Sequence, residues 1–108
     1  MSIVFTKNRS VGFDPRVWRT ISAGTTVNNG SFNLLRTNGA AYTVTLPALV
    51  TVGAIIHFKD ADDNAAIVNI TLGRNGNTIE GRAEDLIVNL NATSFALQYL
   101  NGSWRVIQ

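Results

Sequence analysis

Apolar and polar side chains alternate on both sides of a sharp turn in the C-terminal stretch 94–108, SFALQYLNGSWRVIQ. Asn101-Gly102 lies at its centre, and Asn-Gly favours a two-residue type I′ turn because both central positions need a positive φ. Pairing outward from the turn predicts the partners Leu100–Ser103, Tyr99–Trp104, Gln98–Arg105 and Leu97–Val106. Successive side chains alternate across a strand, so one face of this hairpin is apolar: Phe95, Leu97, Tyr99, Trp104 and Val106.

The same period of two recurs earlier in the chain and predicts further strands. Residues 54–59, AIIHFK, differ because they are apolar on both faces, which is typical of a strand buried on both sides. The predicted inward positions of the alternating strands are Tyr42, Val44 and Leu46 in 41–46, Val68, Ile70 and Leu72 in 66–72, and Leu86, Val88 and Leu90 in 85–90.

Turn signals separate these strands at short intervals. Asn-Gly also occurs at 29–30, 38–39 and 75–76, and 60–64 is a polar DADDN stretch. The first of these dipeptides is interpreted as a second hairpin. Nothing repeats with a helical period of about 3.6 residues, and turns recur every ~8–12 residues. The pattern predicts an all-β domain over residues 24–108, a small antiparallel β-sandwich or a β-roll or barrel of about eight to ten short strands.

Residues 1–23 have a different character. A β-prone segment, SIVFT, is followed by an irregular stretch that contains Gly12 and Asp14-Pro15. An irregular segment of this length cannot bury Phe13 and Trp18 alone. One reading is a pair of aromatic residues buried in the domain. The other is an N-terminal arm that docks on a larger assembly, with the candidate contacts Phe5, Arg9, Phe13, Arg16, Trp18 and Arg19.

Composition narrows the classes of partner. Charged residues are 15% of the chain, below the usual ~25%, and an uncharged polar surface favours oligomers. Up to Val50 there are five basic residues and one acidic residue, net +4; beyond it there are four basic and six acidic residues, net −2. The cations are spread out, so we expect no nucleic-acid partner. No apolar run approaches the ~20 residues of a membrane span, and no signal pattern is present, so we expect no membrane partner.

Candidate chemistry is sparse. Asp60, Asp62 and Asp63 have the spacing of oxygen ligands for calcium, but the rest of an EF-hand loop is missing, and aspartates also initiate turns. His57 is the only histidine; we expect a partly buried structural residue, or in a trimer a ring of three copies. Glu80, Glu84 and Asp85 are expected in solvated turns. We therefore predict no catalytic residue, no metal and no cofactor, and hence no enzyme.

An ordered series of short motifs is more informative than any single residue. It comprises YTVTLP at 42–47, VG at 52–53, IHFKD at 56–60, AA at 65–66, NIT at 69–71, RNG at 74–76, TIEG at 78–81 and YLNGSWRV at 99–106. The series covers residues 40–108 and resembles a β-module of bacteriophage tail fibres, tailspikes and related virion appendages. The resemblance implies a virion structural protein, made in the host cytoplasm and located in the virion, that is usually trimeric.

This resemblance sets the functional expectation. The protein would be a component of a tail fibre or another surface appendage, with itself and other capsid or tail proteins as partners. The module occupies most of the chain, which also allows a capsid decoration (cement) protein. A module that binds a carbohydrate or receptor, such as a host-surface glycan, is a further alternative. The strand that is apolar on both faces supplies the predicted subunit interface of the trimer: Ile55, His57 and Phe58.

Overall fold

Residues 17–108 are the part of the chain that the computed structural model describes, and they contain strands and no helix. No helix long and apolar enough to cross a membrane occurs among them. The eight strands are β1 (Trp18–Ile21), β2 (Phe32–Leu35), β3 (Tyr42–Thr45), β4 (Ile55–Asp60), β5 (Ile70–Gly73), β6 (Leu86–Val88), β7 (Ser94–Leu100) and β8 (Ser103–Ile107). The prediction of an all-β domain over residues 24–108 is confirmed.

The strands form two sheets that share one core. The larger sheet has the order β1-β2-β4-β7-β8 and the smaller one β3-β5-β6. Alternate side chains of β2, β4, β7 and β8 point inward and meet those of β3, β5 and β6. The fully buried large side chains of this core include Leu35, Ile56, Phe58, Leu97 and Trp104 from the larger sheet and Val44, Ile70 and Leu72 from the smaller one.

Both sheets are mixed, which corrects the prediction of antiparallel pairing. β1 pairs with β2, β2 with β4 and β3 with β5 in parallel. The chain crosses from the larger sheet to the smaller one and back, so consecutive passes lie side by side in the same direction, as in a short β-solenoid. The turn at Asn29-Gly30 is part of this path: it leads from the bridge between Thr26 and Thr45 back to β2 and closes no hairpin. Only the pairs β5–β6, β4–β7 and β7–β8 are antiparallel.

The C-terminal hairpin is confirmed in turn type and register. Asn101 has a φ of 54° and Gly102 a φ of 79°, as a type I′ turn requires. All the partners predicted from the turn outward are observed. Tyr99 packs edge-on against Trp104, with ring centroids 5.2 Å apart.

The strand boundaries differ most from the sequence prediction at β5 and β6. The strand predicted over 66–72 begins only at Ile70, because the carbonyl of Asn64 accepts hydrogen bonds from the N–H groups of Ile67 (3.0 Å) and Val68 (2.9 Å) and holds a turn there. Leu90, predicted inward, is 54% exposed because β6 ends at Val88.

Replacing Gly102 by alanine is expected to lower the free energy of unfolding by about 1 kcal/mol, because a Cβ is disfavoured at positive φ. Urea denaturation measures the change. Gly39→Ala is the matched control: this glycine is not among those with positive φ, and an added Cβ meets no atom within 4 Å. Equal losses in the two variants would contradict the assignment of the cost to backbone conformation.

Candidate interaction surface

The outer face of the five-stranded sheet carries one row of residues, a single residue from each strand. We call Trp18, Phe32, His57, Ala96 and Ile107 the outer row. Each is the direct partner of the next in the strand register. Because side chains alternate across a strand, the row lies on the face opposite the core. It therefore forms a continuous, mainly apolar strip across the whole width of the sheet.

The aromatic rings of the outer row pack against one another. The rings of Phe32 and His57 are stacked, with centroids 4.3 Å apart and planes 12° apart. Trp18 meets Phe32 edge-on at 5.2 Å and 66°. Phe32 and His57 each turn one ring face toward the other, which leaves at most the opposite faces for a planar ligand. The arrangement is better suited to packing against another flat apolar surface.

The ends of the outer row are its most accessible parts. Trp18 is 37% exposed and Ile107 is 36% exposed. Phe32 and His57 are half-buried. Leu34 and Ile55, which lie on the same outer face two residues away along β2 and β4, are half-buried too. The strip is thus apolar along its length and most accessible at the two edges of the sheet, whereas Ala96 within it is only 7% exposed.

The predicted subunit-interface residues divide between the two faces of β4. Ile55 and His57 point outward, and His57 belongs to the outer row. Phe58 is fully buried and stacks on Phe95 at 5.3 Å. Its inclusion in the interface is corrected: adjacent residues of a strand face opposite sides, so Phe58 belongs to the subunit's own core.

The predicted docking residues are only partly within the described chain. Phe5, Arg9, Phe13 and Arg16 lie outside residues 17–108, as does the proposed strand in 2–6. Trp18 and Arg19 are exposed on β1 at the edge of the larger sheet. Ile21, at the end of the same strand, is buried in the core. Residues 18–21 of the predicted arm therefore form an edge strand of the β-domain.

The acidic stretch that begins at Asp60, the last residue of β4, forms hydrogen bonds with loops that are distant in sequence. The buried carboxylate of Asp60 accepts four hydrogen bonds, from the hydroxyl of Thr37 (2.5 Å) and the N–H groups of Asp62 (3.2 Å), Ala65 (3.0 Å) and Ala92 (3.0 Å). Burial by itself raises the pKa of Asp60, but these hydrogen bonds together outweigh it and lower that pKa. Asp60 thus connects three segments that are distant in sequence.

Asp62 binds Arg36 and Thr37, which lie in the connection between β2 and β3. Its Oδ2 accepts hydrogen bonds from Nε of Arg36 (2.9 Å) and from the N–H of Thr37 (2.8 Å). The hydrogen bond from Arg36 is the main cause of the lowered pKa of Asp62. Asp63 is exposed with a φ of 55°. Within residues 17–108 no group of three or more histidine, aspartate or glutamate side chains is arranged to hold a metal ion.

Glu80, Glu84 and Asp85 line one open depression near Val106. Two of these carboxylates bind backbone groups. Oε2 of Glu80 accepts a hydrogen bond from the N–H of Val106 at 2.7 Å, and Oδ1 of Asp85 accepts one from the N–H of Arg74 at 2.9 Å. Glu80 thereby satisfies an outward N–H group of the edge strand β8, which makes the pairing of β8 with another chain less favourable.

The sequence did not predict Phe32, Ala96 and Ile107 as members of an interaction surface. The order of strands determines which residues become neighbours, and parallel pairing of β2 with β4 cannot be read from local turn signals. A weak signal exists in the sequence of β2, where both Phe32 and Leu34 on one face and Leu35 on the other are apolar.

No protein-family model matches the chain, and neither does any curated protein.

Proposed function

We propose that this chain is a bacteriophage virion structural protein, a component of a tail fibre or another surface appendage, that acts by forming a homotrimer and docking to the particle. The observation that supports self-association is the outer row, an apolar strip across the full width of a sheet. The motif series of residues 40–108 supports the assignment to a virion. In this proposal the protein converts no substrate and binds no metal or cofactor.

The surroundings of the outer row support a contact with protein. Interfaces of permanent oligomers are apolar at their centre and rich in aromatic residues. The neighbouring cations are engaged within the subunit: Lys59 donates to the carbonyl of Ala92 at 3.3 Å, and Arg105 donates to those of Leu100 (3.1 Å) and Asn101 (3.2 Å). None of the five residues of the outer row is an aspartate, glutamate, lysine or arginine, so the strip itself carries no strong charge.

Docking to the particle is assigned to the N-terminal segment and β1. Trp18 and Arg19 lie on an edge strand that pairs with β2 on one side. A strand edge can accept a strand from a partner protein. The other predicted docking residues precede this strand in the chain. A capsid decoration protein would use the same two surfaces, and the component of the particle that it binds distinguishes the two cases.

A glycan-binding module is less favoured by the geometry. Sugar recognition by aromatic residues needs an exposed ring face, whereas Phe32 and His57 stack on each other. Trp104 is fully buried, and the hydroxyl of Tyr42 lies 2.9 Å from the carbonyl oxygens of both Ile21 and Arg36, which share its single proton. These contacts favour structural roles for those four rings.

A double substitution at the ends of the outer row tests the interface. We expect Trp18→Glu with Ile107→Glu to weaken self-association by about thirtyfold or more, because each carboxylate would have to be buried without a partner. Sedimentation equilibrium over a range of concentrations measures the association constant, and circular dichroism confirms that the variant is folded.

The matched control is Leu49→Glu with Ile67→Glu. Both residues are large, apolar and exposed, at 87% and 79%, and both lie in connections outside the two sheets. The control should associate like the unmodified chain. An unchanged association constant in the outer-row variant, or an equal loss in the control, would contradict the assigned interface.

A further inference from the structure

Three of the four Asn-Gly dipeptides of the chain are held in closed turns. Gly30, Gly76 and Gly102 all have positive φ. The turn at Gly30 is closed by the N–H of Ser31 donating to the carbonyl of Asn28, and the turn at Gly76 by the N–H of Asn77 donating to that of Arg74, both at 3.2 Å. The hairpin pairing of Leu100 with Ser103 closes the third turn.

Two of these asparagines also have their side-chain amides engaged. Nδ2 of Asn29 donates to the carbonyl of Leu49 at 3.0 Å, and Nδ2 of Asn75 donates to that of Leu46 at 3.0 Å. Asn101 has no such bond to residues 17–108, but its own carbonyl accepts a hydrogen bond from Arg105 at 3.2 Å within the hairpin. In all three places a rearrangement of the backbone requires hydrogen bonds to break first.

Asn38-Gly39 is built differently. Residues 38–40 form an exposed bend between β2 and β3. Neither residue has a positive φ, and no side-chain hydrogen bond of Asn38 occurs within the described chain. A Cβ added at Gly39 would meet no atom within 4 Å, and the same holds at Gly30, Gly76 and Gly102, so the four sites differ in backbone conformation and hydrogen bonding.

We propose that Asn38-Gly39 is a site of self-catalysed modification, at which Asn38 is converted to aspartate and isoaspartate in the folded protein. The deprotonated amide nitrogen of Gly39 attacks Cγ of Asn38. A C–N bond forms, the bond from Cγ to the side-chain nitrogen breaks, and that nitrogen takes up a proton from water and leaves as ammonia. The resulting five-membered cyclic imide is then hydrolysed by one water molecule at either carbonyl. This inference does not depend on the virion proposal.

The product places a new carboxylate beside an anchored residue. Thr37 donates its N–H to Asp62 and its hydroxyl to Asp60, so the chain is fixed immediately before the reactive bend. The bend itself is exposed, and the modified chain should therefore keep its fold. Each modified chain has a formal net charge one unit below the +2 of the sequence, and anion exchange separates it.

Incubation of the full chain in mildly alkaline buffer made with ¹⁸O-labelled water, followed by peptide mass spectrometry, tests the proposal. We expect label at residue 38 first, with the other three sites slower by about tenfold because they must open before they react. The same incubation in concentrated urea should bring the four rates together, since the dipeptides are then equivalent.

Gly39→Ala is the matched variant. It should slow labelling at residue 38 because the methyl group hinders the attacking nitrogen, while the unfolding free energy stays close to that of the unmodified chain. Equal rates at all four sites in the folded protein, or faster labelling at residue 29, 75 or 101, would overturn the proposal.

Discussion

Asp60→Asn is expected to lower the free energy of unfolding by about 3 kcal/mol, because it removes a buried charged acceptor from several donors at once. The carboxylate accepts from Thr37, Asp62, Ala65 and Ala92. An amide of the same shape has one acceptor oxygen, and its NH₂ group would face N–H donors. Urea denaturation at neutral pH measures the loss.

The matched control is Asp63→Asn, in the same turn. Asp63 is exposed with a φ of 55°, a conformation that asparagine also tolerates well. We expect its unfolding free energy to stay within about 0.5 kcal/mol of the unmodified chain. Similar losses in the two variants would show that removing any negative charge from this turn lowers the free energy of unfolding, and that the buried carboxylate of Asp60 has no special part in it.

The lowered pKa of Asp60 also predicts a dependence of stability on pH. The group has a lower pKa in the folded state than in the unfolded state, so its contribution is complete above the unfolded pKa and is lost as pH falls through the folded pKa. Stability should therefore decrease below about pH 4. The slope should be shallower in Asp60→Asn, which has no carboxylate to protonate there.

Trp104→Ala is expected to lower the free energy of unfolding by about 4 kcal/mol, since truncation of a buried tryptophan leaves a large cavity. Trp104 is 0% exposed, and its ring meets that of Tyr99. Its backbone also binds residues 78–80, with the N–H donating to Thr78 at 2.9 Å and the carbonyl accepting from Glu80 at 2.8 Å. These backbone bonds survive the substitution, so the loss measures packing.

Trp104→Phe separates packing from hydrogen bonding at the same position. The indole Nε1 of Trp104 is buried and has no hydrogen-bond partner within the described chain. Phenylalanine keeps most of the contact and removes an unsatisfied donor, so we expect a loss of only about 1 kcal/mol. A loss as large as that of Trp104→Ala, by thermal or urea unfolding, would contradict this explanation.

Local chemistry made the C-terminal hairpin predictable. The turn type depends on Asn101 and Gly102 alone, and the register follows from the turn by counting outward. The parallel half of the fold depends on which distant strands meet, and turn residues do not carry that information. Asp60 shows the same limit: the sequence indicated a polar turn, while the donors that surround its carboxylate come from positions as distant as Thr37 and Ala92.

The interaction surface was predictable only in part. His57 and Ile55 lie on the outer face because alternation puts them opposite Ile56 and Phe58. The apolar character of both faces of β4 concealed which face the core would occupy. Phe32 lies on this surface because β2 pairs with β4, although a long connection separates the two strands in sequence.

The mass of the unmodified chain in solution, measured by sedimentation equilibrium at several concentrations, decides whether the outer row joins copies of this protein. Self-association into a trimer predicts three times the chain mass of 11.7 kDa, with the outer-row variant shifted towards a single chain. A mass of 11.7 kDa at every concentration, with the outer-row variant indistinguishable from the unmodified protein, would contradict it.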